Sequence, residues 1–120
     1  MNLMSIPVRK PDISWADFEK LDIRVGTVLD ARPFPGARKP AYQLNIDLGP
    51  LGIKPSSAQI TTHYKPEELI GRQVIVLVNL PKKQIANFFS ECLVMGIYDE
   101  SGAVILLDPD KPAPNGAVIG

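Results

Sequence analysis

Apolar and polar positions alternate strictly in YQLNIDLG, residues 42–49. Tyr42, Leu44, Ile46 and Leu48 fall on one face of an extended chain, and Gln43, Asn45 and Asp47 on the other. That period of two predicts a strand with one buried face. RQVIVLVNL (72–80) is almost continuously apolar, as expected of a strand covered on both faces. DIRVGTVLDA (22–31) predicts a strand with Gly26 inside it, where an internal glycine marks a bulge or a sharp barrel bend. GIKPSSAQI (52–60) predicts a weaker strand, because Pro55 has no N–H for a ladder. CLVMGIY (92–98) and AVILL (103–107) are further strands on either side of the turn-forming Asp99-Glu100-Ser101-Gly102.

Helical signals are short. Ser14 stands three residues before Asp17, the spacing of an N-cap with an acidic third position, and predicts a helix ending near Leu21. Pro66 opens one or two turns through Leu69, with Gly71 as the stop. Residues 1–13 are broken by prolines and form an N-terminal arm, and PAPNGAVIG ends the chain as a turn and a short tail. Five or six strands interrupted by short helices predict an all-β fold. A five-stranded OB-fold barrel, which leaves few sticky edges, fits best, and residues 1–120 are read as a single domain.

Composition removes several classes. The chain is 45% apolar, too rich for disorder, and no apolar run approaches the ~20 residues of a membrane span. The first residues lack the basic start and apolar core of a signal peptide. Cys92 is the only cysteine, so no internal disulfide forms, and a cytoplasmic protein is expected. Net charge is zero, against a strongly electrostatic nucleic-acid binder. The charge is unevenly spread, however. Residues 51–90 hold five cations and two carboxylates, whereas residues 91–120 hold one cation and five carboxylates.

Catalytic chemistry finds little support. His63 is the only histidine, so no histidine cluster for a metal exists, and nothing in the spacing joins it to Cys92 as a base with a nucleophile. No glycine-rich phosphate loop is present, and the carboxylates near the C-terminus lack calcium-loop spacing. We expect no catalytic residue, no metal and no cofactor. The cations gather instead around three connections: Arg32, Arg38 and Lys39 at a proline turn, Lys54 before SSAQ, and Lys82 and Lys83 after Asn79. In a barrel these connections can meet as a phosphate-binding rim, or they can remain scattered surface charges. Within NLPKKQIANFFSECLVMG (79–96), Lys82 and Lys83 sit in a loop between two apolar runs and are followed at once by Ile85, Phe88 and Phe89. Charge beside rings suits nucleic acid or an unfolded peptide. The same rings can equally plug the core or a subunit contact.

FEKLDIRVGTV, ARKPAYQLNIDLGPLGIKPSSAQIT, YKPEELIGRQV and VNLPKKQIANFFSECLVMG together resemble the CsaA family, over about residues 13–119. CsaA proteins are small cytosolic chaperones associated with protein export, within the superfamily that includes the tRNA-binding domains of methionyl-tRNA synthetases. Relatives that bind tRNA carry His-Pro-x-Ala-Asp-Lys-Leu after the first strand. Here Phe34-Pro35-Gly36-Ala37-Arg38-Lys39-Pro40 stands there, as in the CsaA form. Their Lys-Pro-Arg-Lys-Met corresponds to Pro81-Lys82-Lys83-Gln84-Ile85, followed by the shared Ser90. The resemblance implies an OB barrel whose terminal extensions build a homodimer. It implies a chaperone for unfolded polypeptides or exported preproteins, with tRNA as a further partner and no insertion into membranes. A stand-alone, structure-specific tRNA binder is the alternative. The expected RNA contacts are Arg38, Lys39, Lys54, Asn79, Lys82, Lys83 and Ser90, and the expected peptide contacts are Ile85, Phe88 and Phe89.

Overall fold

Ser14 opens the first element as expected: its hydroxyl accepts the Asp17 N–H at 3.1 Å, capping helix α1, Trp15–Glu19. The structure, a computed structural model, describes residues 7–120; the first six residues of the expected arm lie outside it. Residues 7–13 are irregular and exposed. After α1 come β1 (Ile23–Pro33), β2 (Tyr42–Asp47), a 3-10 turn (Gly49–Leu51) and β3 (Ile53–Ala58). Helix α2 (Pro66–Leu69) leads to β4 (Gln73–Leu77), β5 (Lys83–Ile85) and β6 (Phe88–Ser90). The last strands are β7 (Leu93–Val94), β8 (Gly96–Tyr98) and β9 (Val104–Leu106).

Five strands form one antiparallel sheet in the order β3-β2-β1-β4-β7. Its two ends approach each other through the segment that precedes β7. Glu91 donates its N–H to the Pro55 carbonyl at 2.9 Å, and the Ser57 N–H reaches the Ser90 hydroxyl at 3.0 Å. The buried Ser56 hydroxyl donates to the Cys92 carbonyl at 2.8 Å. The result is a nearly closed, OB-like barrel. Pro55 sits in it without loss, because its carbonyl, and not the missing N–H, makes the bond across the seam.

The alternation in β2 becomes burial: Tyr42, Leu44, Ile46 and Leu48 all lie inside the barrel with Val28, Val74 and Val76. Strand β4 is covered on both faces. Val74 and Val76 point inward, whereas Ile75 joins Ile23 and Val25 in a second cluster with Leu77, Met95 and Leu107. Gly26 faces inward where β1 crosses β2. A Cβ there would lie 2.6 Å from Ile46 Cγ2 and 2.8 Å from Leu48 Cδ2. The register irregularity of β1 falls between Val28 and Asp30, so Gly26 marks the close approach and not the bulge.

Three segments differ from the expectation. CLVMGIY is two strands, because the chain leaves the barrel at Met95: β7 pairs with β4, and among the described residues β8 pairs only with β9. The tail is more ordered than a free end. Val25 receives the Gly116 N–H at 2.7 Å and gives its own to the Ala117 carbonyl at 3.0 Å, while the Ile119 N–H reaches Ile23 at 2.9 Å. The tail therefore lines β1 along the half that β2 leaves unpaired. Finally, the segment read as a loop around Lys82 to Phe89 contains a hairpin of its own, β5–β6.

Candidate functional site

The hairpin sorts its side chains by register. Lys83 pairs with Ser90, Gln84 with Phe89, and Ile85 with Phe88. Cross-strand pairs share a face, and faces alternate. Lys83, Ile85, Phe88 and Ser90 therefore lie on one side, and Gln84 and Phe89 on the other. Ala86 closes the turn at φ +53°, with its carbonyl accepting from the Gln84 amide at 3.0 Å.

The first face docks on the barrel. The Ser90 hydroxyl sits on the Ser57 N–H, so this serine clips the barrel seam. Phe88 meets the buried Phe34 edge to face, with ring centres 5.3 Å apart. Phe34 is in turn fixed by the turn that follows β1, since its N–H donates to the Ala41 carbonyl at 3.1 Å. That turn carries Arg38 and Lys39, and it reaches the hairpin tip: a Cβ on Gly36 would stand 3.4 Å from the Ala86 Cβ. Phe89, on the opposite face, is 51% exposed. The two adjacent phenylalanines thus do not form one surface.

An open groove of about 990 Å³ runs between the 36–41 turn, the end of β3 and the hairpin. Arg38, Lys39 and Lys83 line it together with Ile85, Ser57 and Gln59. Among the described residues none of these three cations has an ion-pair partner. Ser57 and Gln59 are not among the contacts expected from the sequence. A signal for them exists there: in β3 and just beyond it, Ser56, Ala58 and Ile60 are buried, so Ser57 and Gln59 must face outward.

The other expected RNA contacts lie elsewhere or are occupied. Lys54 and Lys82 both stand 3.8 Å from the Glu91 carboxylate, which partly neutralises them. They border a smaller cleft of about 350 Å³ with Asn79. Asn79 itself accepts the Asp22 N–H at 3.0 Å and donates to the Lys20 carbonyl at 2.6 Å. Its amide holds the end of α1 against the end of β4. The seven polar positions therefore divide into a cationic trio without an ion-pair partner among the described residues, a partly neutralised pair and two side chains with structural bonds.

A second groove of about 490 Å³ lies on the other side of β5, between the hairpin and β7–β8. Its walls include Ile60, Leu80, Ile85, Leu93, Val94 and Met95, and Lys83 is its one charged lining residue among the described residues. Its far wall is tied down. The Leu106 N–H donates to the Tyr64 hydroxyl at 2.9 Å, and the His63 ring contacts Asp99 at 2.6 Å. Cys92 lies at the base of this groove. Burial pushes its thiol up to about 11, so it stays protonated and unreactive near neutral pH.

Residues 23–118 match the family described as "Putative tRNA binding domain". Among solved structures, the chain is similar to chaperone CsaA from Bacillus anthracis str. Ames, at 50% identity and TM-score 0.87, covering 92% of this chain and 100% of that one. It is also similar to the CsaA chaperone protein of Picrophilus torridus, at 49% identity and TM-score 0.85, covering 91% and 100%. Among curated sequences, the methionine–tRNA ligase of Flavobacterium johnsoniae is 34% identical over 111 residues. Those residues are 92% of this chain and 15% of the ligase, so the chain spans a small part of that relative's length.

Proposed function

The chain belongs to the CsaA branch of the tRNA-binding-domain family, and from that premise we propose that it is a CsaA-like chaperone that holds unfolded or exported polypeptides and also binds tRNA. The observation that carries this reading is the juxtaposition at β5. Three cations without an ion-pair partner among the described residues and the apolar side chain of Ile85 line one open groove, and a second, more apolar groove shares Lys83 and Ile85 with it. Burying a side chain such as Ile85 is worth about 1.5–3 kcal/mol, so a few such contacts give weak and broad capture once ordering costs are subtracted. A chaperone needs that weakness in order to release its client. Phosphates are attracted by the same cations that lie beside the apolar wall.

The working form is a cytosolic homodimer. Trp15 on α1 is 80% exposed, and Val118 and Ile119 on the tail are exposed where the tail lines the start of β1. Both segments are too short to be stable by themselves, and a second copy would cover their apolar faces. A stand-alone tRNA binder is the second reading, supported by the lack of carboxylates among the described residues of the groove lined by Arg38, Lys39 and Lys83. Titrating the protein with an unfolded polypeptide and with tRNA at several salt concentrations separates the two. Suppression of client aggregation that persists in high salt supports the chaperone. Tight, salt-sensitive tRNA binding without any client protection replaces it with the second reading.

A further inference from the structure

The two grooves are one surface. Ser57, Gln59, Lys83 and Ile85 belong to the walls of both, so a ligand leaving one enters the other across β5. The halves differ in character. Among the described residues, the first is lined by Arg38, Lys39 and Lys83 and by no carboxylate. The second is lined mainly by apolar side chains, with Ser57, Gln59 and Ser90 among them and Lys83 as its only charge among the described residues. Among the described residues strand β5 has a ladder partner along one edge only, β6, so its other edge offers backbone groups to an added strand.

We propose that this composite groove selects, among unfolded polypeptides, segments in which acidic residues stand beside apolar ones, and that RNA displaces them by occupying the basic half. The inference rests on the chaperone reading and adds the client's charge pattern and the regulation of its release. An extended segment advances about 3.3 Å per residue, so carboxylates on the Arg38–Lys39–Lys83 side and apolar side chains on the Ile60–Leu93 side belong to one short stretch of chain. Main-chain bonding to β5 would make the fit tolerant of sequence, while the cations impose a sign. A basic–apolar segment would meet three cations that have no ion-pair partner among the described residues, in a groove whose described lining includes no carboxylate. RNA carries the required sign but has no aliphatic side chains for the second half. It would therefore overlap the peptide at Lys83 and exclude it without filling the apolar end.

The test uses four labelled unstructured peptides of equal length, measured by fluorescence anisotropy against the full chain: acidic–apolar, basic–apolar, acidic alone and apolar alone. The acidic–apolar peptide should bind at least about tenfold more tightly than the basic–apolar one at low salt. Lys83→Glu should erase that preference. Lys82→Glu, beside Glu91 and outside both grooves, should keep it, and both variants should melt as the wild type does. Unlabelled tRNA should displace the acidic–apolar peptide completely. Equal or tighter binding of the basic–apolar peptide would overturn the proposal. So would a ternary complex in which tRNA and peptide bind together. If an unfolded client is protected while charge sign has no effect, the chaperone reading stands and this inference falls. If no peptide binds and tRNA does, both fall.

Discussion

Strand β2 and the β5–β6 hairpin carry similar amounts of apolar side chain, yet they use it in opposite ways. In β2 every second residue points into a closed interior, and Leu44 is 1% exposed. In the hairpin, Phe88 packs on Phe34 while its neighbour Phe89 is half exposed. The barrel has one inside, and every inward position of its strands meets it. The hairpin lies on the outside of the seam with one face on the barrel and one in solvent. Identical side chains one position apart therefore have different roles, and a cluster along the chain is not a cluster in space.

The sharpest contrast is in stability. Leu44→Ala removes side-chain volume from an interior without room to collapse and should cost about 2–5 kcal/mol, read by denaturant unfolding. Phe89→Ser, at an exposed position, should stay within about 0.5 kcal/mol. A Phe89→Ser loss as large as that of Leu44→Ala would mean that the hairpin belongs to the core. Phe88→Ser should fall between them, at about 1–2 kcal/mol, because it loses an edge-to-face partner and part of its burial. Equal effects of the two serine variants would break the assignment of opposite faces.

Much of the barrel is legible in the amino-acid sequence itself. The alternation in β2, the cap at Ser14, the proline start at Pro66 and the doubly covered β4 are local signals that tertiary packing does not override. The hairpin is hidden because its turn is Ala86-Asn87 and lacks the glycine that usually marks a two-residue connection, even though Ala86 takes a left-handed conformation. The break at Met95 is illegible for a different reason. Both halves of CLVMGIY are apolar, and only the partner strand, β4 or β9, decides where one ends. The site is half visible. Its residue types are evident, but whether a lysine is free or offset by Glu91 depends on contacts that only the fold makes.

The charged residues give a second contrast, with a smaller effect. Arg38→Glu with Lys83→Glu should weaken tRNA binding and flatten the slope of log affinity against log salt by about 1–2, as two phosphate contacts are lost. Lys54→Glu with Lys82→Glu should change the slope less, because Glu91 already offsets both lysines. A reversed order would move the phosphate path to the smaller cleft.

The smallest effect is expected at the β8–β9 turn. The Ser101 hydroxyl, followed by His63, holds the Asp99 carboxyl well below its usual value of 3.8. A depressed carboxylate stabilises the fold above its unfolded pKa, and that contribution is lost as pH falls through the folded value. The stability gap between wild type and Asp99→Asn should therefore be open at roughly pH 5, start to narrow as pH passes 3.8, and close only in stronger acid. Thermal melts across that range check the sign; a gap that widens on acidification below 3.8 would contradict it.

Where ligands touch the chain is the decisive observation. Backbone amide shifts of the isotope-labelled protein, recorded while an unfolded polypeptide and then tRNA are added, locate those contacts directly. We predict shifts for both ligands at residues 57–59 and 83–86. The polypeptide should extend them toward 93–96, and tRNA toward 36–41. Shifts confined to α1 and the tail, with β5 unmoved by either ligand, would contradict the central claim that the composite groove is the binding site.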